Sequence, residues 1–478
     1  MNVDLSLLAP ELTLAGWASA VLVLDLLMPE GARRRLLLWL SLAGLAAVAA
    51  ISLALLSRPL PASSFGGFLL VDHFSIYFKL IFLIAAALVL LASETFIERL
   101  WQYEGEFYGL MLFCTTGMML MAATGELMSL YLALELSSLS LALLATWGKR
   151  DLRSSEAGLK FFVLSALSSA ILLYGIALLY GLTGSTRLAD IARLLTAGGS
   201  PPAMLAMSML VAGFGFKIAA VPFQMWTPDV YQGAPTPVTA FISTASKAAG
   251  FAVVLRIFQS ALGSIQTEWS TLFAVLALAT MTVGNVMALV QDNVKRLLAY
   301  SSIGHIGYML AGLAAGTAFG LSSVIFYLLV YAFTQIGAFA VLVVMARYVA
   351  DEDIGAYSGL SRRAPWLSAS MAFCLLSLAG LPPLAGFFSK LYVFWAVAER
   401  GLYWLVLAGV LNSALSLYYY ARVIRQMYLV EPAEQQRVAM GLAPRLSLAA
   451  SVFAIFLIGP ISNVFIEAAQ QAALVIRP

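Results

Sequence analysis

Residues 212–250 read AGFGFKIAAVPFQMWTPDVYQGAPTPVTAFISTASKAAG. The stretch is apolar enough for lipid. It nevertheless carries two lysines, Lys217 and Lys247, and prolines at Pro222, Pro228 and Pro235 in or beside helical pattern. A lysine at mid-membrane costs roughly 2.5–3.5 kcal/mol on insertion scales. Proline removes a backbone donor and clashes with the carbonyl four residues back, which for Pro222 belongs to Ile218, next to Lys217. Broken backbone beside a buried charge is tolerated in a bilayer only where it faces protein or water. The stretch is therefore expected to form part of an ion path, with the rest of the chain built around it.

Composition sets the class. The chain has 478 residues, 62% hydrophobic and 11% charged, with a mean hydropathy of +0.92. Soluble domains carry about 25% charge. No long polar segment interrupts the apolar runs, which predicts a single all-α polytopic membrane domain over 1–478 and no soluble domain. A net charge of +3 makes no case for nucleic acid as a partner. Cys114 and Cys374 stand isolated in apolar runs without metal or redox spacing, and are read as small buried hydrophobes. The sequence has no phosphate-binding glycine loop, no cysteine cluster for iron–sulfur and no histidine pair for haem. No metal or cofactor, and neither redox nor ATP chemistry, is expected in this chain. Asp4 and Glu11, rather than a basic segment, precede the first apolar run, which reads as a retained span and not a cleaved signal.

At about 20 apolar residues per span, roughly fourteen spans are expected. They fall at 8–28, 36–56, 70–93, 107–124, 127–147, 160–181, 203–226, 236–260, 270–291, 297–316, 319–348, 366–398, 402–429 and 443–468. Lys and Arg orient such a chain by collecting on the cytoplasmic side. Arg33, Arg34 and Arg35 follow the first span, which puts the N-terminus outside. On that count 17 of the 27 basic residues lie inside, 6 outside (Arg256 among them), and 4 within spans, namely Lys79, Lys217, Lys247 and Lys390. The asymmetry predicts both termini on the outer face of the membrane.

The chain also echoes itself. Ala212-Gly213-Phe214-Gly215-Phe216-Lys217 returns as Ala385-Gly386-Phe387-Phe388-Ser389-Lys390, an offset of 173 (390 − 217). Glu135 and His305 are separated by 170. Either offset amounts to five spans, and an odd-numbered repeat lands inverted, the design of many transporters. One detail resists strict symmetry: Pro222 follows its lysine, whereas Pro382 and Pro383 precede theirs.

Intramembrane ionisable residues are functional by default. Glu135 lies well inside the fifth span, with Lys217 and Lys247 as available partners. A Glu–Lys pair that forms and breaks loads and releases a proton; the bland alternative is a carboxylate paired for packing. Lysine can switch between charged and neutral forms when buried, which arginine does not do. Lys217, Lys247 and Lys390 are read as such switches, Lys390 beside a second break at Gly380-Leu381-Pro382-Pro383. His305, between the two lysine-bearing halves, suits a proton relay, although a lone histidine on a helix is more often a core residue. Ser301, Ser302, Tyr308, Tyr327, Tyr331 and Gln335 are candidates to hold connecting waters. Lys79, near the outer start of its span, is read as snorkelling or locally paired. Gly312 and Gly316 are expected to allow close helix packing.

Three segments together resemble a known family. They are Phe223-Gln224-Met225-Trp226-Thr227-Pro228-Asp229-Val230-Tyr231-Gln232-Gly233-Ala234-Pro235-Thr236-Pro237, the stretch Asn293–His305, and Leu381–Lys390. They are similar to the antiporter-like membrane subunits of respiratory complex I, the NADH–quinone oxidoreductase. The resemblance covers nearly the whole chain. It implies fourteen transmembrane helices, two inverted five-helix repeats (107–260, helices 4–8; 270–429, helices 9–13) after three N-terminal helices in 1–106, a last helix at 443–468, and discontinuous helices 7 and 12. It assigns Glu135 and Lys217 to the first half-channel, Lys247 to the connection, and His305 and Lys390 to the second. A lysine at 390 fits the N- or L-type, where the M-type has glutamate, and the chain ends without the lateral helix of the L-type. The implied activity is proton translocation driven by quinone reduction elsewhere. FMN, iron–sulfur clusters and quinone would lie in other subunits, and M-type and K/J/A-type subunits would be neighbours. A multisubunit Na⁺/H⁺ antiporter or membrane-bound hydrogenase subunit, and a purely structural scaffold, are the alternatives.

Overall fold

A computed structural model describes residues 3–28, 33–97, 104–195, 200–349, 351–431 and 436–476. The chain begins with α1 (Ala9–Leu27) and α2 (Arg33–Ala54), then a short hairpin of β1 (Ala62–Ser64) and β2 (Leu69–Val71). There follow α3 (His73–Ile97), α4 (Glu104–Ala123), α5 (Leu127–Ala145), α6 (Leu152–Thr183), the short α7 (Leu188–Leu194), α8 (Pro201–Ile218), α9 (Trp226–Gly233), α10 (Thr236–Phe241) and α11 (Lys247–Arg256). The second half comprises α12 (Gln266–Leu289), α13 (Val294–Ala314), α14 (Ala318–Met345), the one-turn α15 (Leu360–Arg363), α16 (Pro365–Ala379), α17 (Ala385–Glu399), α18 (Tyr403–Leu429), α19 (Leu442–Ile458) and α20 (Ser462–Leu474). Among the described residues, 12 helices are long and apolar enough to cross a membrane. The two other expected spans are the broken pair α16–α17 and the bent pair α19–α20, which turns by 91°. The bent pair covers the span expected at 443–468; its bend falls at Gly459-Pro460, where proline cannot continue the helix.

Helix 236–261 is the axis of the molecule. Two π-helical turns, Ile242–Ser246 and Ile257–Ala261, interrupt it on either side of α11, and its apolar window is enclosed by protein along its whole length. The most extensive helix–helix contact is that of α12 with α13. A Cβ on Gly307 would sit 2.3 Å from the Met281 backbone nitrogen, and one on Gly284 2.4 Å from that of Gly304. Absent side chains let the two backbones touch. The expected Gly312/Gly316 contact is different in kind. Gly316 lies beyond the end of α13 in the left-handed region, at φ 64°, against the Gln266 side chain that opens α12, whereas Gly312 within α13 faces α14 through Val324.

Both breaks are built alike. α8 begins on the Ser200 side-chain cap with Pro201 in its first turn and ends at Ala219, at φ 63°, ψ 43°. Ala220 N–H then donates to Gly215 O at 2.8 Å. α16 ends at Gly380, at φ 86°, and Leu381 N–H donates to Leu376 O at 3.1 Å. In each case a left-handed residue closes the helix with a six-to-one bond. Pro222 and Pro383 each lie three residues past it, so the breaks are related by an offset of 161 (383 − 222). The 173-residue echo is therefore a likeness of composition and not the structural register. Ala212–Lys217 closes the first half of one broken helix, while Ala385–Lys390 opens the second half of the other. Order still repeats: a broken helix holds fourth place in the runs α4, α5, α6, α8/α9, helix 236–261 and α12, α13, α14, α16/α17, α18.

Two buried ion pairs pin the N-terminal helices. Lys79 on α3 meets Glu11 on α1 at 2.6 Å, with both side chains buried. Arg256, counted above with the outer loops, lies buried at the end of α11. It forms a two-pronged pair with Asp72 at 2.9 and 3.0 Å and donates to Ala122 O at 2.9 Å. The buried cations are thus not all lysines. Arg99 and Arg477, used in the charge count, lie outside the described residues, as do the side chains of Arg33–Arg35.

Candidate functional site

The seventh and twelfth spans deliver one lysine each to a break, from opposite sides of it. Lys217 occupies the last turn of α8, where the indole of Trp226 donates at 3.0 Å to the Phe216 carbonyl, which also accepts from Ala219 N–H, and ties α9 back onto α8. α9 is held in turn by Asp229, whose carboxylate meets Arg296 at 2.9 Å and Lys160 at 3.2 Å. At its far end Lys295 donates to Ala234 O at 3.1 Å. The signature segment thus acts as a clamp on broken backbone, and its carboxylate is paired.

Lys217 does not contact Glu135 directly. Its ammonium donates to Ser138 Oγ at 2.9 Å and Ser137 Oγ at 3.5 Å. Glu135, half-buried one turn before Ser138 on α5, accepts from the Ser169 hydroxyl of α6. A cleft of about 10 Å³, lined among others by Ser138, Ser168, Ser169 and Lys217, lies beside the ammonium, room for about one water. The expected Glu135–Lys217 pair is therefore not formed; each side chain is held instead by serine hydroxyls. Helix 236–261 approaches Lys217 through Gly250, where a Cβ would stand 2.7 Å from Ile218 Cγ2 and 3.3 Å from Lys217 Cγ.

From there α13 carries the row. Lys247 follows the first π-helical turn, donates to Ser302 on α13, and sits 5.3 Å above the Tyr231 ring. One turn on, His305 is bracketed: Nδ1 lies 2.7 Å from the Tyr327 hydroxyl and Nε2 3.2 Å from that of Tyr420, which also bonds Ser301. One turn further, the Tyr308 hydroxyl accepts from Asn285 at 3.1 Å, and its ring lies 5.1 Å from the Lys390 ammonium. Lys390 reaches back across its own break to donate to Ala379 O at 2.9 Å, and to Ser413 Oγ on α18 at 2.8 Å. Positions 302, 305 and 308 share one helical face by their spacing. The hydroxyls of Tyr231 and Tyr331 and the Gln335 amide are buried along this stretch without a protein hydrogen-bond partner. Groups of that kind are satisfied by water.

The structure brings Lys217, Lys247, His305 and Lys390 into one buried row, with Glu135 at its half-buried end. Ser302, Tyr308 and Tyr327 take direct part in it. Ser138, Ser169, Ser413, Tyr420 and Asn285 were not singled out from sequence. Among the described residues, no group of three or more His, Cys, Asp or Glu is placed to hold a metal ion.

Gly380 carries a sharp constraint. A Cβ there would lie 2.9 Å from Lys390 Cδ on backbone at φ 86°, a region that L side chains enter at a cost of about 1–3 kcal/mol. Gly380→Ala is expected to push Lys390 off Ala379 O and Ser413, and to lower activity while the protein still assembles. Activity per assembled protein checks this.

Comparison with known proteins places this geometry. A family profile described as NADH:quinone oxidoreductase/Mrp antiporter, TM, matches residues 124–416. NADH-quinone oxidoreductase subunit N of Trichlorobacter lovleyi is 45% identical, covering 99% of this chain and 98% of its own. NAD(P)H-quinone oxidoreductase subunit 2 of Microcystis aeruginosa is 44% identical over 89% of this chain and 83% of its own. Among solved structures, a chain of respiratory complex I from Thermus thermophilus with bound aureothin superposes with a TM-score of 0.81 at 34% identity, covering 97% of this chain and 99% of that one. A chain of the Mrp complex from a Dietzia species shares the fold at a TM-score of 0.85 and 21% identity, covering 98% and 97%.

Proposed function

Because the chain belongs to the NADH:quinone oxidoreductase/Mrp antiporter membrane-subunit family, we propose that it is the N-type proton-translocating subunit of an NADH–quinone oxidoreductase, with Glu135, Lys217, Lys247, His305 and Lys390 carrying the proton. The observation that carries this reading is the buried row itself. Lys217, Ser302/Lys247, His305, Tyr308 and Lys390 follow one another between two helix breaks, and the unpartnered hydroxyls beside it supply places for connecting water. Quinone reduction elsewhere in the complex changes the field at Glu135. Glu135 then closes on or parts from Lys217, and each lysine in turn biases the charge of the next, since a charge in a low-dielectric interior acts strongly on its neighbours. The two five-helix units, 107–260 and 270–429, each contribute one broken helix. The proton enters from the cytoplasmic side and leaves on the periplasmic side, where both termini lie.

In this reading the chain holds no redox centre; FMN, iron–sulfur clusters and quinone belong to other subunits. The face of α5 beside Glu135, where Leu132 is 67% exposed and Leu139 47%, docks a neighbouring membrane subunit, an M-type or K/J/A-type one. That places the carboxylate where a neighbour's state reaches it. A scaffold subunit and a proton carrier part company at Lys390. Arginine keeps charge and hydrogen bonding but does not release its proton. Lys390→Arg is expected to retain assembly and to lose most of the proton pumping coupled to NADH oxidation in reconstituted complex. Wild-type pumping by that variant rejects the switch and favours the scaffold.

A further inference from the structure

Asn285 of α12 is buried beside the lysine row, and both ends of its amide are used. Nδ2 lies 2.7 Å from Met281 O and 3.1 Å from the Tyr308 hydroxyl, while Oδ1 accepts from the Tyr419 hydroxyl at 3.0 Å. A backbone carbonyl only accepts, so the atom beside Met281 O is the amide nitrogen. That contact settles which way round the amide lies. Its two N–H groups go to Met281 O and to Tyr308. Gly304 on α13 leaves the space for it: a Cβ there would stand 2.9 Å from Nδ2 and 3.3 Å from Oδ1. The amide is thus wedged between α12 and α13 and held by three bonds.

The direction of the Tyr308 bond has a consequence for the row. A phenol hydroxyl has one proton to give and lone pairs with which to accept. Tyr308 accepts from Asn285, so its own proton points elsewhere. His305 already has both ring nitrogens engaged, Nδ1 by Tyr327 at 2.7 Å and Nε2 by Tyr420 at 3.2 Å. The other member of the row beside Tyr308 is Lys390. Its ammonium lies 5.1 Å from the centre of the Tyr308 ring and spends two of its three N–H groups on Ala379 O and Ser413 Oγ. A phenol without an anchor turns freely about its C–O bond and presents its proton in either direction; the amide removes one of the two.

We propose that Asn285 is a positioning residue for proton transfer: by occupying one lone pair of Tyr308 it keeps the phenol proton turned toward Lys390. The proposal rests on the proton-carrying row put forward above. When Lys390 is neutral, its amine gains the Tyr308 proton through a bridging water, and the phenol oxygen is reprotonated from the His305 side. The phenol ends as it began, and one proton has moved to Lys390. Asn285 donates throughout and neither gains nor loses a proton.

The test is a double-mutant cycle in the complete complex reconstituted in vesicles, read as NADH-driven proton uptake per assembled complex. Asn285→Leu is expected to lower uptake about fivefold, the worth of one net hydrogen bond. The ratio of its rates in H₂O and D₂O should rise, because transfer at Tyr308 then limits turnover; a packing defect would not raise it. Tyr308→Phe should lower uptake at least as much. Asn285→Leu added to Tyr308→Phe should cost nothing further, since Asn285 acts through that hydroxyl. If Asn285→Leu assembles poorly, Asn285→Leu/Tyr419→Phe, which leaves no unpaired hydroxyl at Tyr419, takes its place in the cycle. Wild-type uptake by the Asn285 variant overturns the proposal, and so does a loss that persists at the same factor in the Tyr308→Phe background or an unchanged isotope ratio. Lys390→Arg, measured alongside, separates the two levels: its loss of pumping together with any of these results strikes Asn285 alone, whereas wild-type pumping by Lys390→Arg removes the row and the proposal with it.

Discussion

Lys217→Ala is expected to leave the complex assembled and to lower proton pumping and coupled NADH oxidation by about 100-fold, the low end of what a positioned acid–base group contributes. The Lys217 ammonium is held by two serine hydroxyls, Ser138 and Ser137, and by no carboxylate. Its removal therefore strands no directly bonded opposite charge, and the Ser138 hydroxyl left behind is compatible with water in the cleft it lines. Function suffers because the link between Glu135 and Lys247 is gone. Rates of NADH-driven acidification and NADH oxidation, normalised to assembled complex, check the expectation. A structural role for Lys217 predicts the reverse pattern, with poor assembly and normal turnover of whatever assembles.

Arg256→Ala should do the reverse. Its guanidinium makes two bonds to the buried Asp72 carboxylate and a third to Ala122 O, and it lies 4.7 Å over the Phe74 ring. Deleting one partner of a buried pair leaves an uncompensated charge and costs about 3–5 kcal/mol, a large share of the 5–15 kcal/mol that typically holds a folded domain together. The expected result is a steep fall in assembled complex, and a lowered melting temperature for what remains, with near-normal turnover per assembled complex. The double variant Arg256→Ala/Asp72→Ala should recover part of the loss, since no charge is then stranded; a double variant no better than the single would deny that the pair matters.

The lysine row was legible from sequence because a charge in an apolar run has few explanations. Lys217, Lys247 and Lys390 each stand alone among hydrophobic neighbours, and the breaks beside two of them announce themselves through Pro222 and Pro383. The partners were not legible. Ser138, Ser169 and Ser413 differ in no local way from Ser41, Ser52 or Ser93, which spend their hydroxyls on carbonyls of their own helix. Only packing tells which serine faces a lysine. Arg256 and Asp72 are 184 residues apart, and nothing in either segment names the other. The echo between Ala212–Lys217 and Ala385–Lys390 misled on register because Ala, Gly and Phe recur by composition, whereas the backbone geometry at Ala219 and Gly380 marks the true correspondence. Gly459-Pro460 was a readable turn signal, masked by apolar sequence on both sides.

Lys247 is the member of the row with no local substitute. It lies on the enclosed central helix, and the Ser302–His305–Tyr308 face of α13 begins at its ammonium. The most direct measurement is therefore NADH-driven proton uptake into vesicles bearing complex with Lys247→Gln, which keeps length and hydrogen bonding and removes the exchangeable charge. At equal amounts of assembled complex, proton uptake is predicted to fall by about tenfold or more. Uptake at the wild-type rate would contradict proton transfer through this subunit.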